Sequence, residues 1–388
     1  MKKFKYYQPT EIRFGWGRVD EVGEAVAQHG KRCLIVTGEV FHRVSPAFKK
    51  ITSSLGAAGV AFVHFSGIAP NPTTDSITAG ADMARKHKAD VVLGVGGGSS
   101  LDSAKAIAVE ASHDGTCWDY LFFRETQPTI KTLPVITVNT TSGTGSQVTQ
   151  VAVVTNPAER CKSALYHPFI FPRIGIVDPE LMVTVPERMT AITGFDVFTH
   201  AFESLLHSNA SPYTDMLAKE AITIVVQNLR TAVTEASNKA ARTAIAWADS
   251  LAGLCIANAG VTLPHGISMA IGGLYPHVAH AEALAAVYPP FTRYTCTSAI
   301  DQFAILGRIL NKDLKTETDE VAAEESCSGL DNFLKSIGLW LSLKQLEIPV
   351  NELPDLAHAS QVLPDYKNNP RIATHQEILD LFHQCYDQ

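Results

Sequence analysis

The chain has 388 residues, 46% hydrophobic and 18% charged, an ordinary globular composition that is too long for one core of usual size and implies two domains. A net charge of -7 excludes a broad nucleic-acid or anionic-membrane surface. Seven scattered cysteines without a CxxC pair, no apolar signal segment in Met1-Lys2-Lys3-Phe4 and no apolar run of about 18 residues predict a soluble cytoplasmic protein.

Residues 1–15 read as a short β-element that feeds a turn at Gly15-Trp16-Gly17. Val19 to His29 has helical spacing, and Gly30 closes it. Cys33 to Val36 is a short apolar run, as in a buried parallel strand. A helix at about 44–57, a strand from Ala61 to Phe65 and a helix capped by Thr73 and ending near Lys88 follow. Then come the strand Val91 to Val95, a helix at about 101–111, and strands at Leu133 to Val138, Val151 to Val154 and Ile174 to Val177. This alternation predicts βαβ units and a parallel sheet. Beyond Asp178-Pro179-Glu180-Leu181 the apolar spacing is helical throughout, and Thr184 with Glu187 fits a capping box. The expected domains are therefore 1–183, α/β, and 184–388, all-helical. Asn311 to Glu325 reads as an exposed polar helix or loop.

Three stretches of the first half suit a dinucleotide. Gly96-Gly97-Gly98-Ser99-Ser100 follows a strand and opens a helix that carries Asp102 and Lys105. There the backbone can approach a pyrophosphate and the helix N-terminus favours it, although the run is not GxGxxG and also suits a plain tight turn. Thr140-Thr141-Ser142-Gly143-Thr144 lies just past another strand, where hydroxyls can reach phosphate, ribose or amide or simply cap a helix. At the tip of the Cys33 to Val36 strand, Gly38 does not repel a 2′-phosphate, whereas Glu39 beside it would.

The second half carries candidate metal donors. Asp196 and His200, four apart, share a helix face. His265, His277 and His280 follow downstream. Three imidazoles and a carboxylate suit Fe²⁺ or Zn²⁺, and such an ion can polarise an alcohol or aldehyde oxygen.

Gly96-Gly97-Gly98-Ser99 with Asp102 and Lys105, Thr140-Thr141 with Gly143-Thr144, Asp178-Pro179-Glu180-Leu181, and Gly194-Phe195-Asp196 with His200, in this order, resemble the iron-containing (group III) alcohol dehydrogenase family. The likeness runs from Phe14-Gly15 to Asn369-Pro370-Arg371. It implies a Rossmann-like N-terminal domain and an all-α C-terminal domain, the architecture shared with dehydroquinate synthases. It implies hydride transfer between NAD or NADP and a primary alcohol or aldehyde in a dimer or larger homo-oligomer. By position it implies Asp196, His200, His265 and His280 as metal ligands, with Fe²⁺ favoured over Zn²⁺. It implies cofactor contacts at Gly38, Asn71, Gly96, Gly97, Gly98, Ser99, Asp102, Thr140, Thr141, Thr144, Thr149 and Lys162. Two departures stand out. Met269 occupies the place of a family histidine near the nicotinamide, so His277 is the substitute considered for a proton relay. Gly38 occupies the place of an aspartate of NAD-preferring members, a lean to NADP. Competing readings are a metal-free reductase of the maleylacetate type, a dehydroquinate-synthase-like lyase and a non-catalytic nucleotide-binding protein.

Overall fold

The computed structural model describes residues 3–39 and 45–388. They form two compact units, Tyr7–Thr184 and Val185–Gln388, and the segment ahead of Tyr7 belongs to the second. This departs from the expected 1–183 domain: the Tyr6 ring lies 4.1 Å, centroid to centroid, from Tyr213 of the helical unit.

The first unit is built on β1 (Glu11–Phe14), β2 (Arg32–Gly38), β3 (Ala61–Ile68), β4 (Val91–Gly96), β5 (Val135–Asn139) and β8 (Ile174–Val177). They pair, all parallel, in the order β1-β8-β5-β4-β2-β3. Strand period explains why both faces are apolar. Leu34 and Val36 of β2 enter one core with Val92 and Ile107, whereas Cys33 and Ile35 enter the opposite core with Val91, Leu93 and Leu55. Helices α1 (Val22–Ala27) and α2 (Pro46–Ala57) cover the second face; α3 (Thr74–His87) and α4 (Gly98–Glu110) cover the first. The helices after β2 and β4 thus leave on opposite faces, which opens a crevice at the carboxyl ends of these neighbouring strands. Of the expected 44–57 helix, residue 44 lies outside the described residues, and Ser45 caps α2 by accepting from Ala47 N.

Thr73 caps α3 as expected, in a reciprocal box with Ser76. The strand expected at Val151 to Val154 is not part of the parallel sheet. As β6 (Val151–Asn156) it pairs antiparallel with β7 (Cys161–Tyr166), a strand absent from the sequence reading. Lys105 and Asp102 explain its position. The fully buried Lys105 ammonium donates to Val151 O (2.7 Å), Ser146 Oγ (2.8 Å) and Thr149 Oγ1 (3.3 Å). Asp102 accepts from Ser146 Oγ (2.6 Å) and Val153 N (3.0 Å). These bonds fasten the hairpin to α4.

The second unit is helical among its described residues: α5 (Glu187–Leu206), α6 (Pro212–Thr234), α7 (Lys239–Asn258), α8 (Leu263–Leu274), α9 (His280–Cys296), α10 (Ile300–Leu310), α11 (Asp319–Ser336), α12 (Leu353–Ala359) and α13 (His375–Gln384). The expected capping box at Thr184 does not form. Pro186 takes the cap position and α5 begins at Glu187 without a side-chain cap. Pro186 pre-sets φ for helix entry and makes that cap dispensable. From Ala191 onward nearly every α5 side chain is buried, as a helix at the centre of a bundle requires. Phe195, Phe198 and Phe202 pack with Tyr288, Phe333 and Phe303. Gly194 admits α6, since a Cβ there would stand 2.2 Å from Leu229 Cδ1. The polar stretch from Asn311 is a 3-10 turn, Lys312–Thr316, followed by the start of α11. No single helix among the described residues is long and apolar enough to cross a membrane.

The Lys105→Ala variant removes one partner of a buried charge pair and leaves Asp102 uncompensated. We expect urea denaturation to show a loss of about 3–5 kcal/mol; a loss under about 1 kcal/mol would rule out the tie as a stabilising element.

Candidate metal and nucleotide sites

Helix α5 carries Asp196, His200 and Glu203 on one face, at positions i, i+4 and i+7. Two helix starts meet this face: His265 is the third residue of α8, and His280 is the first of α9. His200 Nε2 and His265 Nε2 each lie 3.8 Å from Asp196 Oδ1, and His280 Nε2 lies 3.9 Å from it. The His200 and His265 rings are stacked at 4.7 Å. Donors about 2.1 Å from one tetrahedral ion stand roughly 3.4 Å apart; the donor atoms of Asp196, His265 and His280 all lie within 4.8 Å of one another and need close only a little, and His200 stands beside Asp196 as the fourth. Asp196 Oδ1 and His265 Nε2 are both buried and have no hydrogen-bond partner in the protein. Two orphaned lone-pair atoms, both turned into one cluster, fit a cation ligated between them.

The groups behind the donors settle their protonation. Glu203, fully buried, accepts at Oε1 from His265 Nδ1 (2.8 Å) and Tyr288 Oη (3.3 Å). Its Oε2 accepts from Thr262 N (2.8 Å) and Thr262 Oγ1 (3.2 Å), at the very start of α8. His265 therefore carries its proton on Nδ1 and offers the Nε2 lone pair. Ser268 Oγ donates to the His280 carbonyl (2.8 Å), so it accepts from His280 Nδ1 (2.6 Å), and His280 too offers Nε2. Without a cation, burial opposes charge on His265, yet Glu203 and Asp196 push it up to about 10, so a bound ion would take the place of a proton on Nε2. Burial likewise disfavours ionised Asp196, yet His200, His265 and His280 hold it at about 2. The pocket is one that favours added positive charge.

Of the two late histidines only His280 joins the cluster. His277 is exposed, and its Nε2 donates to the Leu346 carbonyl at 3.2 Å. Met269 is buried, one turn beyond His265. Glu203, Ser268 and Thr262 escaped the sequence reading. The signal for Glu203 was available, a carboxylate seven residues after Asp196 on the same face; Ser268 sits one turn after His265. A further carboxylate, Asp365, comes from the 3-10 turn Pro364–Asn368. Its Oδ2 would lie 4.0 Å from a Cβ at Gly266, the residue after His265. Burial raises the Asp365 carboxyl to about 6 against the pull of His265, with Glu203 adding to the rise.

In the α/β unit, the glycine turn and the Thr140 loop lie side by side. Gly96 has φ +147°, and Thr140 N donates to its carbonyl at 2.9 Å. A Cβ at Gly98 would meet Thr144 Cγ2 at 2.5 Å, and one at Gly97 would meet Thr141 Oγ1 at 3.0 Å. Gly97 caps α4 without a side-chain bond, so Gly98 and Ser99 open a helix whose first-turn N–H groups suit an anion. Across the β2–β4 crevice, Gly38 ends β2 with Glu39 exposed beside it. Lys162 Nζ donates to Asn71 Oδ1 at 3.0 Å, bringing these two expected contacts together, and Asn71 takes φ +55°. Asp102 and Thr149 stand differently. Both carboxylate oxygens of Asp102 accept bonds from the chain, and Thr149 Oγ1 accepts from Lys105, so their direct role is to hold α4 on the hairpin.

Residues 9–179 match the profile of iron-containing alcohol dehydrogenases, and residues 190–386 match the C-terminal profile of the Fe-containing alcohol dehydrogenase family. The chain is 37% identical to the long-chain-alcohol dehydrogenase 1 of Geobacillus thermodenitrificans, over 90% of this chain and 88% of that one. It is 30% identical to the NAD-dependent methanol dehydrogenase of Bacillus methanolicus, over 97% and 98%. Among solved structures, an archaeal alcohol dehydrogenase from a Red Sea brine pool superposes with a TM-score of 0.95 at 33% identity, covering 99% of this chain and 100% of that one. With both units matched in one order, the chain belongs to the iron-containing alcohol dehydrogenase family.

Proposed function

We propose that this protein interconverts a primary alcohol and its aldehyde by hydride exchange with NAD(H). It would hold one divalent cation, Fe²⁺ in preference to Zn²⁺, through Asp196, His200, His265 and His280. The observation that carries the reading is the pair of orphaned, buried atoms, Asp196 Oδ1 and His265 Nε2, inside a cluster of four donors. When bound, such a cation supplies Lewis-acid polarisation of the substrate oxygen, and the nicotinamide supplies or accepts the hydride.

The chain's own residues divide the remaining work. Glu203 and Ser268 fix the tautomers of His265 and His280, so both present lone pairs without reorganisation. The first turn of α4 and the hydroxyls of Thr141 and Thr144 receive the dinucleotide phosphates, with Gly96, Gly97 and Gly98 allowing close approach. Lys162 and Asn71 form a second contact from the hairpin side. For the adenosine end, the sequence leaned to NADP through Gly38. NAD(H) is the better-supported choice, since Glu39 is exposed at that strand end and the Bacillus methanolicus relative is named as NAD-dependent. Met269 cannot relay a proton, and His277, the imidazole the sequence offers for that task, is exposed and bonded to the Leu346 carbonyl. Seven free cysteines fit a cytoplasmic setting, and a homodimer or larger assembly completes the reading.

The deciding assay strips the protein of metal, reloads it anaerobically with Fe²⁺ or Zn²⁺ and follows NADH oxidation with short aldehydes. Oxidation restored by metal is the expected outcome, and equal rates without metal would refute the role of the cluster. Asp196→Ala and His265→Ala should lose bound metal by elemental analysis and at least about 10³-fold in kcat/KM, with the far-UV spectrum retained. Glu203→Gln should weaken metal binding by about 10- to 100-fold, as read by chelator competition. NADH should be preferred to NADPH, and Glu39→Gly should raise kcat/KM for NADPH about tenfold by removing a charge from the 2′-phosphate; no change would place the discrimination elsewhere.

A further inference from the structure

Asp365 is a carboxylate that neither the metal cluster nor its supporting hydrogen bonds employ. It is half-buried on a short turn packed over Gly266, next in sequence to a donor. It lies close enough to His265 and Glu203 for their charges to act on it. Its own backbone N–H faces the carboxylate. Among the described residues no Lys or Arg pairs with it within 4.0 Å, whereas Arg371 farther along the same segment is paired with Glu377. No Lys or Arg thus neutralises the carboxylate at this spot, and the charged groups acting on it are His265 and Glu203.

The first turn of α8 constrains what this charge can reach. Gly266 has no side chain to stand between Asp365 and the start of the helix, and Asp365 Cβ and Ser360 O would each lie 3.6 Å from a Cβ there. A substrate whose oxygen is held at the cluster must direct its remaining atoms past the residues bordering it. A carboxylate beside the residue that follows a donor, with no Lys or Arg on it, would repel an anionic tail and attract a cationic one, and its reach is long where water is scarce.

We propose that Asp365 is a charge-selecting specificity residue: it admits alcohols and aldehydes bearing a cationic ammonium group a few bonds from the reacting carbon and turns away anionic ones. The inference rests on the metal-site reading above and names the substrate class of that site.

The test compares choline with 3,3-dimethylbutan-1-ol, its neutral isostere, and with 3-hydroxypropane-1-sulfonate, using the metal-loaded full chain at pH 8. Wild type should favour choline over the isostere by about tenfold in kcat/KM, chiefly through KM, and Asp365→Asn should bring that ratio close to one and admit the sulfonate. Asp365→Asn is close to isosteric, and its thermal melt checks folding. Calorimetric titration of choline into both proteins reads the same contrast without turnover, and binding about tenfold weaker in Asp365→Asn is expected. An unchanged selectivity ratio, or equal choline binding by the two proteins, overturns the proposal. Wild-type activity on butan-1-ol separates the two readings. Its loss refutes the dehydrogenase while choline binding still decides on Asp365; its presence with an unchanged ratio refutes Asp365 alone.

Discussion

The helical unit depends on one buried carboxylate, Glu203. It binds the first turn of α8 through Thr262, the imidazole of His265 and the hydroxyl of Tyr288 from α9, all from the middle of α5. A fully buried charge is tolerated only when its lone pairs are filled, and here three residues from two elements fill them. The same bonds that satisfy Glu203 bring the starts of α8 and α9 to Asp196. The packing of the bundle and the geometry of the donors are consequently one problem with one solution. Aromatic packing of Phe195, Phe198 and Phe202 on the other faces of α5 leaves this helix no rotational freedom with which to move Asp196.

The α/β unit solves a different problem, the approach of backbone to an anion. Its central strands are apolar on both faces, so polar groups gather at strand ends, and the β2–β4 crossover places two such ends beside each other. Gly98 lets Thr144 lean onto the turn, and Lys105 secures the helix behind it. An ammonium buried among oxygen acceptors is a costly fastener, and its return is a hairpin held against α4 where no strand of the parallel sheet could reach.

Much of this was legible in the residues. Continuous apolar runs such as Val91 to Val95 read as buried parallel strands because no polar alternation interrupts them. Asp196 and His200 read as a pair because helical spacing aligns them. The hairpin was not legible: β6 has the same apolar texture as the sheet strands, and β7 begins with Cys161-Lys162, where a buried lysine disguises the strand. The cap at Thr184 failed because local pattern cannot tell which of several residues ahead of a helix will take the cap position. The choice between His277 and His280 needed three dimensions, since it turns on Ser268 fixing one ring and Leu346 drawing away the other. Asp365 lies about a hundred residues beyond His265, a juxtaposition no spacing rule contains.

The contact between Tyr6 and Tyr213 bears on how the protein is made. A ribosome releases the chain from its beginning, and units fold as they emerge. Residues 7–184 can close their sheet early, but the segment ahead of them has its binding surface in helix α6 and must wait for it. The cation donors come later still, because His280 follows every strand of the sheet and the helices α5 to α8. Synthesis thus imposes an order: nucleotide fold first, N-terminal tether second, metal last.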